Sequence, residues 1–422
     1  MRNPLANLRA RMALHSHPKH APPIILHLPA AAARPSLAAT DDARRLRWCL
    51  LLKNVDWYET VSPSNVLARL TGIKSSTTSS SLPPPLHANR EAPVLQIGRD
   101  FYYGVASATL GIERRCGHPT LYPARDDGGG NDSKHASTAG LATAPHGEAD
   151  AAIIRRWADT NLRPAASALA SAAGKGEEEA GAMDRVLAHL AHIESMLRAS
   201  LPAGSSATTA LSHPPDRRMA AAAAAAHAPS PTESTPSTTW HGLRGNSAPY
   251  PHAVDIFLAS TVLAIRDMRA PTTTQPLSSA TTYPNLRSRL ASACPLTLAW
   301  CARVDQYLAV KDAEGEPLPI SPEDCISVLR NTYTVGELGS TNSTSSSATG
   351  RPRRSRKVQM ATGEVFEGVM VVDGDQDVTL EYEMEVAEDG GDATRTRCSI
   401  TLPREDIVAN FCPDKPSFQY VD

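Results

Sequence analysis

Ala92-Pro93-Val94-Leu95-Gln96-Ile97-Gly98-Arg99-Asp100-Phe101-Tyr102-Tyr103 is the stretch on which the fold turns. Its spacing predicts a strand over Ala92–Gly98, a polar turn at Arg99-Asp100 and a second strand at Phe101-Tyr102-Tyr103. A helix then runs from near Gly104 to about Cys116. Moving towards the N-terminus, the apolar run Ile24-Ile25-Leu26-His27-Leu28 after two prolines reads as a buried strand. Asp41 and Asp42 open a helix through Leu52, with the acids complementing the dipole, Thr40 as its N-cap and Asn54 as its stop. Val55 to Val61 alternates as another strand, and Asn65 to Leu70 is helical up to Gly72. The order is strand, helix, strand, helix, hairpin, helix, which argues for a small α/β layer domain.

In the other direction the chain becomes helical. Ile153, Ile154, Trp157 and Leu162 are expected on one stripe, and Met183, Val186, Leu187, Leu190, Ile193, Met196 and Leu197 repeat with helical period. Val254 to Met268 is apolar on nearly every face and reads as a helix buried all round, with Asp255 in its first turn. Leu286–Cys294, Leu296–Val310 and a short Pro322–Leu329 segment complete an all-α region. Beyond it the period changes to two. Val378, Leu380, Tyr382, Met384 and Val386 alternate with Thr379, Glu381, Glu383 and Glu385, while Thr396, Cys398, Ile400 and Leu402 alternate with Arg395, Arg397, Ser399 and Thr401. With Val365–Val372 these form a small antiparallel β module whose glutamate and arginine faces suit cross-strand pairing.

Composition narrows the function. Of 422 residues, 34 are proline and only 5% aromatic, so long Ser/Thr/Ala/Gly tracts are set aside as linkers and insertions. The net charge of −2 gives no global basic field for nucleic acid. No apolar run is long enough to span a membrane. The seven cysteines are scattered, odd in number and mostly set in apolar runs, which suits buried thiols in a reducing compartment and a cytoplasmic protein. No Cys or His spacing suggests a metal site, and His15, His17, His20 and His27 read as incidental. The first forty residues carry no acid, which admits a mitochondrial leader or an unstructured one. The basic run Arg351–Lys357 admits a nuclear address or plain solvated charge.

Two strings, Ala43-Arg44-Arg45-Leu46-Arg47-Trp48-Cys49-Leu50-Leu51-Leu52-Lys53-Asn54-Val55-Asp56-Trp57-Tyr58 and Ala92-Pro93-Val94-Leu95-Gln96-Ile97-Gly98-Arg99-Asp100, resemble the first helix with second strand, and the third and fourth strands, of glutathione transferases. More narrowly they resemble a group of fungal glutathione-transferase-like proteins with a C-terminal β extension. The fold this implies is an α/β thioredoxin-like domain plus an all-α glutathione-transferase-type domain, with the small C-terminal antiparallel β module. The expected boundaries are a disordered leader (1–21), the thioredoxin-like domain (22–123, insertion 74–89), a linker (124–150), the all-α domain (151–330, insertion 203–249), a linker with the basic run (331–357) and the β module (358–413).

The resemblance makes Pro93 the cis-proline that frees the N–H and C=O of Ala92 for the cysteinyl part of glutathione, between the first two domains. It implies substrate-binding positions at Ala92, Pro93, Val94 and Ser107. This sequence departs from the pattern at two places. The loop where relatives carry a thiolate-stabilising hydroxyl or thiol is lengthened and mostly alanine (Ala30–Ala33), leaving Ser36 as the catalytic candidate and Thr40 behind it. The acid–hydroxyl pair that holds the γ-glutamyl group is replaced by Gly104-Val105. Asp255, with His252 where relatives have Ser or Thr, reads as a structural cap. Arg44, Arg45 and Arg47 flank the expected cleft, as ligand contacts or as surface charge. Two functions follow: thiolate transfer from glutathione, as substrate and without a metal, to a small electrophile; or an inactive binding module with a protein partner. A homodimer is compatible with either.

Overall fold

The structure, a computed structural model, describes residues 22–29, 36–62, 70, 73–74, 92–116, 119–122, 145–172, 175–200, 240–241, 247–248, 250–268, 284–312, 318–321, 324–325, 355–360, 365–373, 377–387 and 393–411. The expected leader, the alanine loop, most of the 74–89 insertion, Asn65–Arg69, Arg351–Arg354 and Cys412 lie outside them. The chain divides into two compact units: Met1–Leu46 with Val55–Arg115 and Glu316–Asp422, and Arg47–Asn54 with Cys116–Gly315.

The first unit is built on one sheet. Its elements in chain order are β1 (Ile24–Pro29), α1 (Leu37–Lys53, whose residues fall in both units), β2 (Tyr58–Ser62), β3 (Ile73–Lys74), β4 (Val94–Ile97), β5 (Asp100–Tyr103) and α2 (Gly104–Arg115). After the second unit come β8 (Leu318–Pro319), β9 (Ser355–Met360), β10 (Val365–Asp373), β11 (Asp377–Ala387), β12 (Ala393–Pro403) and β13 (Ile407–Phe411). The strand order is β13-β9-β10-β11-β12-β5-β4-β1-β2-β8, with β3 on β10. β1 runs parallel to β2 and antiparallel to β4, and β4 and β5 form the expected hairpin. Every residue of β4 and β5 is buried, Gln96 and Asp100 included, and strands covered on both faces do not alternate. The turn falls at Gly98-Arg99, one residue before the expected place, because Gly98 takes φ of 63°.

The C-terminal strands form an antiparallel module, and the sheet continues through it. β12 lies parallel to β5, pairing Ser399 with Asp100, Ile400 with Phe101 and Thr401 with Tyr102. The Ser399 hydroxyl donates to Asp100 Oδ1 at 2.7 Å, and the Ser399 N–H donates to the Arg99 carbonyl at 3.2 Å. One apolar cluster joins Val94, Phe101 and Tyr103 to Val358, Phe366, Val378, Leu380, Ile400 and Leu402. Arg114 on α2 reaches Asp377 at 3.0 Å. An edge strand buried along its whole length cannot leave its N–H and C=O groups unpaired, and β12 satisfies those of β5. Ser355–Lys357, expected as the end of a linker, are strand. The expected charge pairs form: Arg397 with Glu381, and Arg395 with Glu383 at 3.9 Å.

The second unit is helical: α3 (Pro145–Trp157), a π-helical turn (Ala158–Leu162), α4 (Arg163–Ser171), α5 (Glu177–Ser200), α6 (Ala253–Arg266), α7 (Pro284–Ala293) and α8 (Pro295–Asp312). Two short strands, β6 (Trp240–His241) and β7 (Ser247–Ala248), pair within the stretch expected as an insertion. α6 is buried at every position from Asp255 to Ile265, as its composition requires. The Ile153 stripe fails: Leu162 is buried but Ile153 is 61% exposed. At about 100° per residue Ile153 lies half a turn away from Leu162, and the buried positions of this stretch are Ala151, Ala158 and Leu162.

Candidate functional site

The site the sequence pointed to lies at the start of β4. Val94 is opposite His27 of β1 and Tyr103 of β5, and its side chain is buried in the shared core. The Pro93 carbonyl accepts the Gly104 N–H at 3.1 Å. Having no N–H of its own, Pro93 cannot extend the ladder towards β1, and the pairing stops at Val94. Ala92 is half-buried against the core cluster. Among the described residues neither its N–H nor its C=O has a hydrogen-bond partner. A half-buried backbone amide without a partner is uncommon and marks a place where an extended peptide can pair.

The Gly104 bond ties Pro93 to the start of α2. Gly104 holds φ of 72°, which a side chain at that position rarely adopts, and a Cβ there would meet nothing within 4 Å. The strand-to-helix corner at Gly104 therefore has open space beside it. The first turn of α2 has no acidic side chain to complement its dipole. Ser107, the polar candidate in that turn, is fully buried, and its hydroxyl has no partner among the described residues.

Ser36 is exposed and serves as the N-cap of α1: its hydroxyl accepts the Ala39 N–H at 3.1 Å. α1 thus starts four residues before the expected Asp41, and Thr40 lies inside it, donating to the Ser36 carbonyl at 3.1 Å. The Asp41-Asp42 pair suggested a first turn, but Asp41 is the buried partner of Arg45, at 3.2 Å with both side chains 0% exposed. Arg45 is consequently a core residue and not a ligand contact; Arg44 and Arg47 are half-buried. Asn54 ends the helix in the left-handed conformation, with its N–H on the Leu51 carbonyl. β2 begins only at Tyr58, three residues after the expected Val55.

The group that sequence reasoning missed is His27. It is completely buried between Ser62 Oγ (2.9 Å from Nδ1) and Gln96 Oε1 (2.8 Å from Nε2). Gln96 Nε2 donates to the Gly98 carbonyl at 2.8 Å, which fixes its oxygen towards the ring. His27 therefore donates from Nε2 and accepts the Ser62 hydroxyl at Nδ1, as a neutral imidazole. Only the odd placing of a histidine in an apolar strand run signalled it.

Asp255 Oδ2 accepts the His252 N–H at 3.0 Å, so the α6 N-terminus carries a capping box with histidine in the hydroxyl's place. The six described cysteines are buried and in no disulfide. Burial pushes the Cys294 thiol up to about 11, and Cys301 still higher, so neither is a thiolate at neutral pH. Among the described residues no group of three His, Cys, Asp or Glu side chains is placed to hold a metal ion. None of the described helices is long and apolar enough to cross a membrane.

No family profile matches the sequence, and no curated protein is similar to it. Solved structures do match. A glutathione-transferase-like protein from Pseudomonas syringae aligns with a TM-score of 0.50 at 17% identity, covering 92% of this chain and 99% of its own. A tau-class glutathione S-transferase from mango, Mangifera indica, aligns at 0.37 and 16% identity, covering 71% and 94%. A maleylacetoacetate isomerase from Anaeromyxobacter dehalogenans, with dicarboxyethyl glutathione and citrate in its active site, aligns at 0.29 and 13% identity, covering 66% and 92%. The first shows the fold: this chain has that of a glutathione-transferase-like protein. The other two, with TM-scores below 0.5, add nothing to it.

Proposed function

We propose that this chain is a divergent glutathione-transferase-like protein that takes the cysteinyl backbone of glutathione at Ala92. The observation that carries the reading is that the N–H and C=O of Ala92 have no partner among the described residues, next to Pro93 and the open corner at Gly104. A tripeptide laid there would exchange two backbone bonds with Ala92, as one more antiparallel strand. Its γ-glutamyl carboxylate would meet the bare first turn of α2, where backbone N–H groups and the dipole favour an anion. With Gly104 in place of an acid, nothing there meets the ammonium group, so the fit is to the carboxylate alone. Ser36 opens α1, whose first turn also lacks acids. A thiol near that helix start would be favoured as thiolate by the dipole. The thiolate sulfur, its proton having passed to solvent, would then bond to the ring carbon of an aryl halide as the carbon–halogen bond breaks and halide leaves to solvent.

A second reading, a binding module without transferase chemistry, is favoured by two observations. Ser36 already uses its hydroxyl as a cap, and Ser107 is fully buried. Turnover of glutathione with an aryl halide separates the two. A rate above the uncatalysed one that falls in Ser36→Ala supports the enzyme; glutathione binding without turnover supports the module; no binding by folded protein excludes both uses of Ala92.

A further inference from the structure

We propose that the His27–Ser62–Gln96 chain is an acid-sensitive latch across β1, β2 and β4, and that protonating His27 loosens the strand that leads back to Pro93 and Ala92. The inference does not depend on what binds at Ala92.

The geometry is specific to one protonation state. Gln96 is held by its bond to Gly98 and presents only an acceptor, so Nε2 must carry the proton. Nδ1 then has a lone pair for the Ser62 hydroxyl. Three strands are stitched by these bonds, since His27 lies on β1, Ser62 on β2 and Gln96 on β4. A second proton at Nδ1 would point N–H at Ser62 and force that hydroxyl to turn away from the bond it donates. It would also place a cation where nothing answers it. The groups facing the ring are Ser62 and Thr60 from β2, Gln96 and Val94 from β4 and the Phe101 ring from β5, at 6.4 Å between centroids. All of these are uncharged. An isolated buried cation is strongly disfavoured.

Burial lowers the His27 pKa from 6.5 to about 4, with the Gln96 bond opposing part of the shift. The folded pKa lies below the unfolded one, so the unfolded chain binds the proton more readily. The stabilisation is full above pH 6.5 and drains away as pH falls from 6.5 to about 4. Between about pH 7 and about pH 5 the opening equilibrium should shift on the order of 20-fold.

Hydrogen–deuterium exchange of the full chain tests this, read on the peptide spanning β4 and corrected for intrinsic rates. The expected result is a loss of protection on the order of 20-fold from about pH 7 to about pH 5, absent in His27→Gln. Equal protection at both pH values in the native chain overturns the proposal, as does a loss that persists in His27→Gln. Should that variant not fold, the imidazole 15N resonances of the native chain decide. A His27 signal still neutral with Nε2–H at about pH 5.5 supports the latch, and a cationic one overturns it. That signal is assigned by its shift in Ser62→Ala.

Discussion

Asp41 and Arg45 show what a single residue decides here and how little of it a sequence reveals. Read as a string, an acidic pair ahead of three arginines looks like a helix start and a cationic rim. Folded, the pair is a buried ion bridge within one helix. Asp41→Ala takes from the buried Arg45 guanidinium its 3.2 Å partner and leaves Asp42 at 3.9 Å, and should destabilise the first unit by about 3 kcal/mol in urea unfolding. Glu194 is a second case. It is buried on α5 and caps another helix, accepting the N–H groups of Leu296 and Thr297 at 3.1 and 2.7 Å and the Thr297 hydroxyl at 2.8 Å. Nothing local marks a glutamate as the N-cap of a helix about a hundred residues away. Glu194→Ala removes all three bonds and should lower the stability of the helical unit by about 2 kcal/mol, measured as a shift of its denaturation midpoint. His27 belongs with these: its neighbours in the chain are apolar, and its partners come from β2 and β4.

Among the elements, those with a strong period were legible and those set by special geometry were not. α6 was readable because all its faces are apolar, and β11 with β12 because they alternate over eleven residues each. The hairpin of β4 and β5 was readable from its apolar runs and Gly98. The start of α1 was not, since Ser36 caps a turn of Leu, Ala, Ala and Thr with no apolar period to announce it. The Ile153 stripe failed because Ile153 and Leu162 do not share a face at about 3.6 residues per turn. β10 supplies a test at this scale. At Gly368 an added Cβ would lie 2.5 Å from the Glu381 carbonyl oxygen, a contact with backbone that cannot yield without shifting the strand. Gly368→Ala should weaken the β10–β11 pairing by about 2 kcal/mol, read as faster amide exchange through β11.

For the whole molecule, the sequence supported the fold class and the resemblance, while the joining of the C-terminal strands to β5 was invisible. The pairing is parallel and spans about three hundred residues, and no local signal carries such a register. It makes the C-terminal strands part of the first unit's core, because Phe101 and Tyr103 share one cluster with Phe366, Leu380 and Ile400. A chain ending before Ser355 should accordingly fail to give a soluble, cooperatively folding protein, as judged by solubility and near-UV circular dichroism. Native-like signals from that truncation would show the strands to be dispensable.

The candidate site was legible only in its backbone. Pro93 entered through the resemblance and Gly104 as the expected start of a helix, whereas the engaged state of Ser36 and the burial of Ser107 needed coordinates. The central claim is therefore about the Ala92 backbone, and calorimetry of glutathione against the full chain and Ala92→Pro addresses it directly. That substitution removes the N–H of a half-buried position and fixes its φ, so the folded state of the variant is checked by circular dichroism alongside. The account predicts measurable heat with the native chain and a loss of about tenfold or more in affinity with Ala92→Pro. Equal affinity in the two proteins, or no binding by a folded native chain, would contradict it.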